Sequence, residues 1–170
     1  MPIKNPKEVF LRLLSDVRQG AERSEKIYQE IGQLAQDDQI REALEARSFV
    51  SGKTLATLDE CFRLLGEKPV KTNSRIQEVF LENFLETLGE MQSPVARRIF
   101  ILAKLNQLAH IRIGEYVALI AASQASGNFG VGVLLETCLA DKVALVERTK
   151  RMIRNAVETK LAERAAAASA

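Results

Sequence analysis

With 170 residues, 46% of them hydrophobic and 27% charged, the chain can bury one sizeable core and is too apolar to remain disordered. Its 24 basic and 22 acidic residues leave a net charge of only +2 and are interspersed, which excludes the basic surplus expected of a nucleic-acid binder. Nine glycines and four prolines make turns few and elements long, so the composition predicts helices.

Met1-Pro2-Ile3-Lys4-Asn5 has no apolar signal core, and a cytoplasmic protein is expected. Asn5-Pro6-Lys7-Glu8 supplies an N-cap, a first-turn proline and an acidic residue, predicting a first helix. Val9, Phe10, Leu13, Leu14, Val17, Ile27, Ile31 and Leu34 follow at helical spacing. Asp37-Asp38 opens a second helix whose stripe is Ile40, Leu44, Arg47, Ser51, Thr54, Leu58, Cys61 and Leu65. This alternating three-four spacing is that of a bundle seam. Gly66 and Pro69 stop it.

A short third helix, capped by Asn73 or Ser74, carries Val79, Phe80, Phe84, Leu85 and Leu88. Ser93-Pro94 begins a fourth helix that reaches Ser126, where Gly127 is placed to end it. Its apolar part is broken by Lys104, Asn106, Gln107, His110, Arg112 and Glu115, too many polar residues for a membrane span. The fifth helix runs from Asn128 to Leu161. Residues 161–170 form an Ala-rich tail with little to bury. The predicted fold is all-α, an up-down four-helix bundle over 1–160 with one additional short helix.

The stripes turn polar halfway along: at Gly20, Glu22 and Ser24, at Arg47, Ser51 and Thr54, at Asn106, His110 and Arg112, and at Asp141 and Lys142. Mid-helix positions of an antiparallel bundle meet at one level, so these residues either share a buried polar layer or face solvent beside the seam. If Arg112 or Lys142 points inward it needs a partner. Glu22, Glu25 and Asp141 are the candidate carboxylates, and Arg47 and His110 complete the candidate polar centre.

Other chemistry is thin. His110 is the sole histidine, so no metal cluster or catalytic triad can be built around it. The glycines of 127–132 follow no strand and read as an interhelical turn. Cys61 and Cys138 lie on apolar faces and are expected to be buried thiols, and Tyr28 and Tyr116 to be packing residues.

The leading helix Val9–Asp16, the segment Leu58–Gly66, the helix Ala103–Tyr116 with His110, Ile113 and Tyr116, and Leu134–Leu139 together resemble the ferritin-like bacterial stress proteins of the YciF and YciE type, the family of domain of unknown function 892. The resemblance covers nearly the whole chain, and it rests on the succession of segments rather than on one motif. It implies inward metal carboxylates at positions where this chain holds Ala21, Val50, Ala109, Arg112, Lys142 and Val146. Asp141 would be a remnant. In bundle metal sites a Glu is followed by a second ligand one turn on; Ala109 and Arg112 stand in those places.

The expectation is therefore a non-enzymatic bundle with a lost metal site and no cofactor. The resemblance also implies a link to stress responses and a homodimer, through the third helix or the Ile99–Phe100 region. The protein partner is unknown, and nucleic acid and membranes are not expected partners. The alternatives are a residual iron or manganese oxidase or storage protein, and a small-molecule binder using a cavity beside Ala21, Val50 and Ala109.

Overall fold

The computed structural model of the chain describes residues 5–35 and 37–168. The expectations for residues 1–4 and 169–170 lie outside the described residues. Helix α1 spans Pro6–Leu34, α2 Asp38–Leu65, α3 Ile76–Glu90, α4 Pro94–Ala125 and α5 Phe129–Ala168, and no strand occurs among the described residues. The tail continues α5 as helix through Ala168, with Leu161 exposed.

Local chemistry sets most boundaries. Asn5 Oδ1 accepts the Glu8 amide at 2.9 Å, and Asp37 Oδ1 accepts that of Ile40 at 3.1 Å. Ser93 caps α4 through the Ala96 amide, with Pro94 in the first turn. Gly66 and Gly127 take left-handed backbones, with φ of 65° and 72°, and turn the chain out of α2 and α4. The start of α3 differs from expectation. It begins at Ile76 with no side-chain cap, because Asn73 and Ser74 lie in a loop held from outside.

That loop is strapped to one face of α1. Arg12 donates to the Lys71 carbonyl at 3.1 Å, and Ser15 Oγ accepts the Val70 amide at 3.0 Å. Thr72 donates to Gln19 at 2.5 Å, and Arg23 donates to the Ser74 carbonyl at 2.9 Å. Positions 12, 15, 19 and 23 share a helix face. The α2-to-α4 connection therefore runs back along α1 as a crossover, so that α2 and α4 point the same way and α1 and α5 the other.

Two apolar clusters fill the bundle. One joins Phe10, Leu14, Val17, Leu58, Cys61, Tyr116, Leu119, Leu135 and Cys138. The other joins Ile27, Ile31, Ile40, Leu44, Phe84, Leu102, Leu105 and Leu108. Each long helix contributes to both, and the residues between the clusters are polar.

Candidate functional site

The three-four seam runs through Leu14, Val17, Ala21, Ser24, Tyr28 and Ile31 on α1 and through Ile40, Leu44, Arg47, Ser51, Thr54, Leu58 and Cys61 on α2, all buried. On α4 it is Leu105, Ala109, Arg112, Tyr116 and Leu119, and on α5 Leu135, Cys138, Lys142 and Thr149. At mid-height these seams bring together Ser24, Arg47, Thr54, Arg112 and Lys142. Arg47, Arg112 and Lys142 are 2%, 9% and 8% exposed, and among the described residues every buried charged side chain is one of these three.

The three cations differ in their partners. Arg47 donates to the Thr149 hydroxyl and, at 3.4 Å, to the Leu145 carbonyl. Burial pushes its guanidinium below the ordinary range, and the nearby Tyr28 hydroxyl opposes this. Arg112 pairs with Glu115 at 2.6 Å, one turn along the same helix. Its guanidinium lies on the backbone of Gly20, where an added Cβ would sit 2.1 to 2.6 Å from three of its atoms. A side chain at position 20 would exclude this arrangement. Lys142 has no hydrogen bond or ion pair with any described residue. Burial, above all, lowers its pKa from 10.5 to about 8, and Arg112 and Arg47 add to the effect.

The surrounding layer is only partly satisfied. Gln77 of α3 donates to the Gly20 carbonyl at 2.6 Å and to Ser24 Oγ at 2.7 Å. By contrast Ser51 Oγ, Thr54 Oγ1 and Arg112 Nε are buried with no hydrogen-bond partner among the described residues. A cavity of about 10 Å³ opens between the helices, lined by Ser24, Tyr28, Arg47, Thr54, Arg112 and Lys142 among others. That is room for about one water molecule. A small organic molecule does not fit this cavity.

Several expected residues stand elsewhere. Ala21 and Ala109 line the cavity, whereas Val50 is half-buried beside the seam and Val146 is buried away from the cavity. His110 is not in the centre. It is exposed, with Nδ1 2.9 Å from the Asn106 carbonyl. None of the candidate carboxylates is bonded to a buried cation. Glu22 is exposed and 3.7 Å from Arg18, Glu25 is half-buried, and Asp141 pairs with Lys53 at 3.0 Å on the α2–α5 surface. The partner of Arg112 is Glu115, a residue its i,i+3 spacing marks in the sequence.

Cys61 and Cys138 are buried free thiols of the first cluster. Burial raises both, Cys61 to about 12, so neither is a reactive thiolate. Tyr116 is likewise held well above its ordinary value by burial. Among the described residues no three of His, Cys, Asp and Glu group so as to hold a metal ion, and no helix is long and apolar enough to cross a membrane.

A family model described as a domain of unknown function, DUF892, matches residues 5–162. Among solved structures, the Escherichia coli stress protein YciF is similar with a TM-score of 0.87 and 17% identity, covering 92% of this chain and 99% of that one. YcfI of Rhodopseudomonas palustris, described as a proposed structural protein, is similar with a TM-score of 0.83 and 22% identity over 87% of this chain and 94% of that one. A Xanthomonas campestris protein matches at a TM-score of 0.71 and 15% identity, over 94% and 99%. At these identities the likeness shows the fold. No curated protein matches the chain in sequence.

Proposed function

The chain belongs to the DUF892 family, and on that footing we propose that it is a metal-free structural or interaction bundle rather than an enzyme. The observation that carries the reading is the convergence of Arg47, Arg112 and Lys142 at mid-bundle. An oxygen-ligated iron or manganese pair needs inward carboxylates. Here, among the described residues, the one carboxylate bonded to a buried cation, Glu115, is held by Arg112, and the rest of the layer is cationic or neutral. The donor set does not fit a two-metal centre, which argues against the oxidase or storage alternative. Elemental analysis of protein grown and purified with added iron and manganese tests this. The expected result is substoichiometric metal; tightly bound metal at one or two ions per chain would sink the proposal.

The biological setting we propose is a cytoplasmic stress response, by analogy with YciF. We also propose a homodimer. Its support is apolar exposure on α3, where Ile76 and Val79, neighbours on one face, are each more than 40% exposed. The adjacent Phe80, Phe84 and Phe100 rings stack into a rigid backing. Sedimentation at micromolar concentration is expected to show a dimer, and a monomer alone would remove this assignment.

A further inference from the structure

We infer that the mid-bundle cavity is a binding site for one small monatomic anion of chloride's size, held between Arg47, Arg112 and Lys142. The inference rests on the reading that cations have taken over the bundle centre, and it goes further by saying what balances them.

Charge is the first argument. Three helices each send one cation into the layer, and among the described residues Glu115 is the single carboxylate bonded to any of them. Asp141 is engaged with Lys53 on the outside of the α2–α5 pair. The fourth helix, α1, lines the cavity with uncharged residues, Val17, Ala21, Ser24 and Tyr28. Buried charge without compensation is costly, so the excess has to be neutralised within the layer.

Unmet hydrogen bonds are the second argument and are independent of the first. Lys142 has an ammonium with three donors and no partner among the described residues. Thr54, 1% exposed, keeps an unpaired hydroxyl, and Arg112 keeps an unpaired Nε. All three residues border the same cavity. The Lys142 ammonium and Arg112 Nε can only donate and the Thr54 hydroxyl can donate as well, so one acceptor would serve all three. A water molecule accepts two hydrogen bonds and neutralises nothing, whereas a halide accepts several and offsets a charge.

Size then selects within the anions. At about 10 Å³ the cavity accommodates one water-sized body. Chloride has about twice the volume of a water-sized sphere, so the long side chains lining the space must give slightly to admit it. Sulfate, phosphate and carboxylates are excluded. The competing solution is that Lys142 sheds its proton and a water fills the space. The groups bearing on that proton are Cys138 and Asp141 of α5, Arg112 of α4 and Arg47 of α2, with Tyr28 of α1 across the cavity.

The test is urea unfolding of the full chain at pH 7 and constant ionic strength, with sodium chloride replacing sodium gluconate. Above half-saturation, each tenfold rise in chloride is expected to raise the folding equilibrium constant about tenfold. Lys142→Met is expected to lose this response, which separates a site from a general salt effect. Crystals soaked in bromide are expected to show one anomalous peak among Arg47, Arg112 and Lys142. Equal stability in the two salts, an undiminished response in Lys142→Met, or bromide absent from the cavity would each overturn the inference. A metal-free protein with no chloride response ends this inference and leaves the proposed function standing.

Discussion

Replacing Gly20 by alanine sets two effects of opposite sign against each other. In a helix interior, Gly→Ala ordinarily stabilises by about 1 kcal/mol, because alanine loses less backbone entropy on folding. Here the new methyl would lie 2.1 Å from Nη2, 2.4 Å from Cζ and 2.6 Å from Nη1 of Arg112. The guanidinium, the far end of a flexible side chain, must shift off α1 within a buried layer, which is expected to break its 2.6 Å bond to Glu115. Losing a hydrogen bond to a charged group costs about 1.5–3 kcal/mol, and a displaced cation that is still largely buried adds to this. The displaced interaction outweighs the helix-propensity gain, and a net loss of about 1–2 kcal/mol is expected.

Urea unfolding measures it, with an unchanged slope showing that only stability moved. The decisive comparison is the same substitution in an Arg112→Met background, where the thioether chain is flexible and uncharged. There Gly20→Ala is expected to stabilise, giving a coupling of about 2–3 kcal/mol in the double-mutant cycle. If Gly20→Ala stabilises the otherwise unaltered chain, or if the two backgrounds agree within about 0.5 kcal/mol, then the guanidinium does not occupy the surface of α1.

Two further outcomes follow from the same layer. In chloride-free buffer, stability is expected to rise between pH 8 and 9, by up to about 1 kcal/mol, because folded Lys142 releases its proton near pH 8 while the unfolded chain holds it to 10.5. Above pH 9 the unfolded thiols ionise while Cys61 resists to about 12, so stability falls; a maximum near pH 9 in urea midpoints checks this, and its persistence in Lys142→Met would contradict it. Gln77→Ala removes both donations that bind α3 to α1, at a cost of about 1–3 kcal/mol, and hydrogen exchange is expected to open α3 before the four long helices. Uniform opening of all five helices would contradict that.

The bundle was legible because the three-four spacing continues through residues that hydropathy alone would place outside. Arg47, Ser51 and Thr54 sit on the α2 seam between Leu44 and Leu58, and position rather than chemistry announced their burial. The misplaced residues obey the same rule. Glu22, Glu25, Val50, His110 and Asp141 each stand one residue from a seam position, Ala21, Ser24, Ser51, Ala109 and Lys142. One residue is about 100° of helix rotation, enough to move a side chain from the centre to the flank. Residue type and resemblance had favoured them, and the period excludes them. What no period carries is contact between helices. That Gly20 is flat under Arg112, or that Arg23 holds the Ser74 carbonyl and so leaves α3 without its expected cap, depends on which elements meet.

The same distinction separates fold from function here. YciF shares this backbone at a TM-score of 0.87 with 17% identity, so the apolar seams tolerate extensive replacement without losing the architecture. The chemistry of the centre is set by a handful of mid-seam residues, which contribute little to the two apolar clusters above and below them. Exchanging carboxylates for cations at that level would change what the bundle can hold while leaving its helices in place. Fold membership is therefore weak guidance to the activity of this chain. The guidance comes from the electrostatics of Arg47, Arg112 and Lys142. They bring excess positive charge into a cavity of about 10 Å³ whose unpaired groups can all donate, an electrostatic setting that favours an anion over a metal cation.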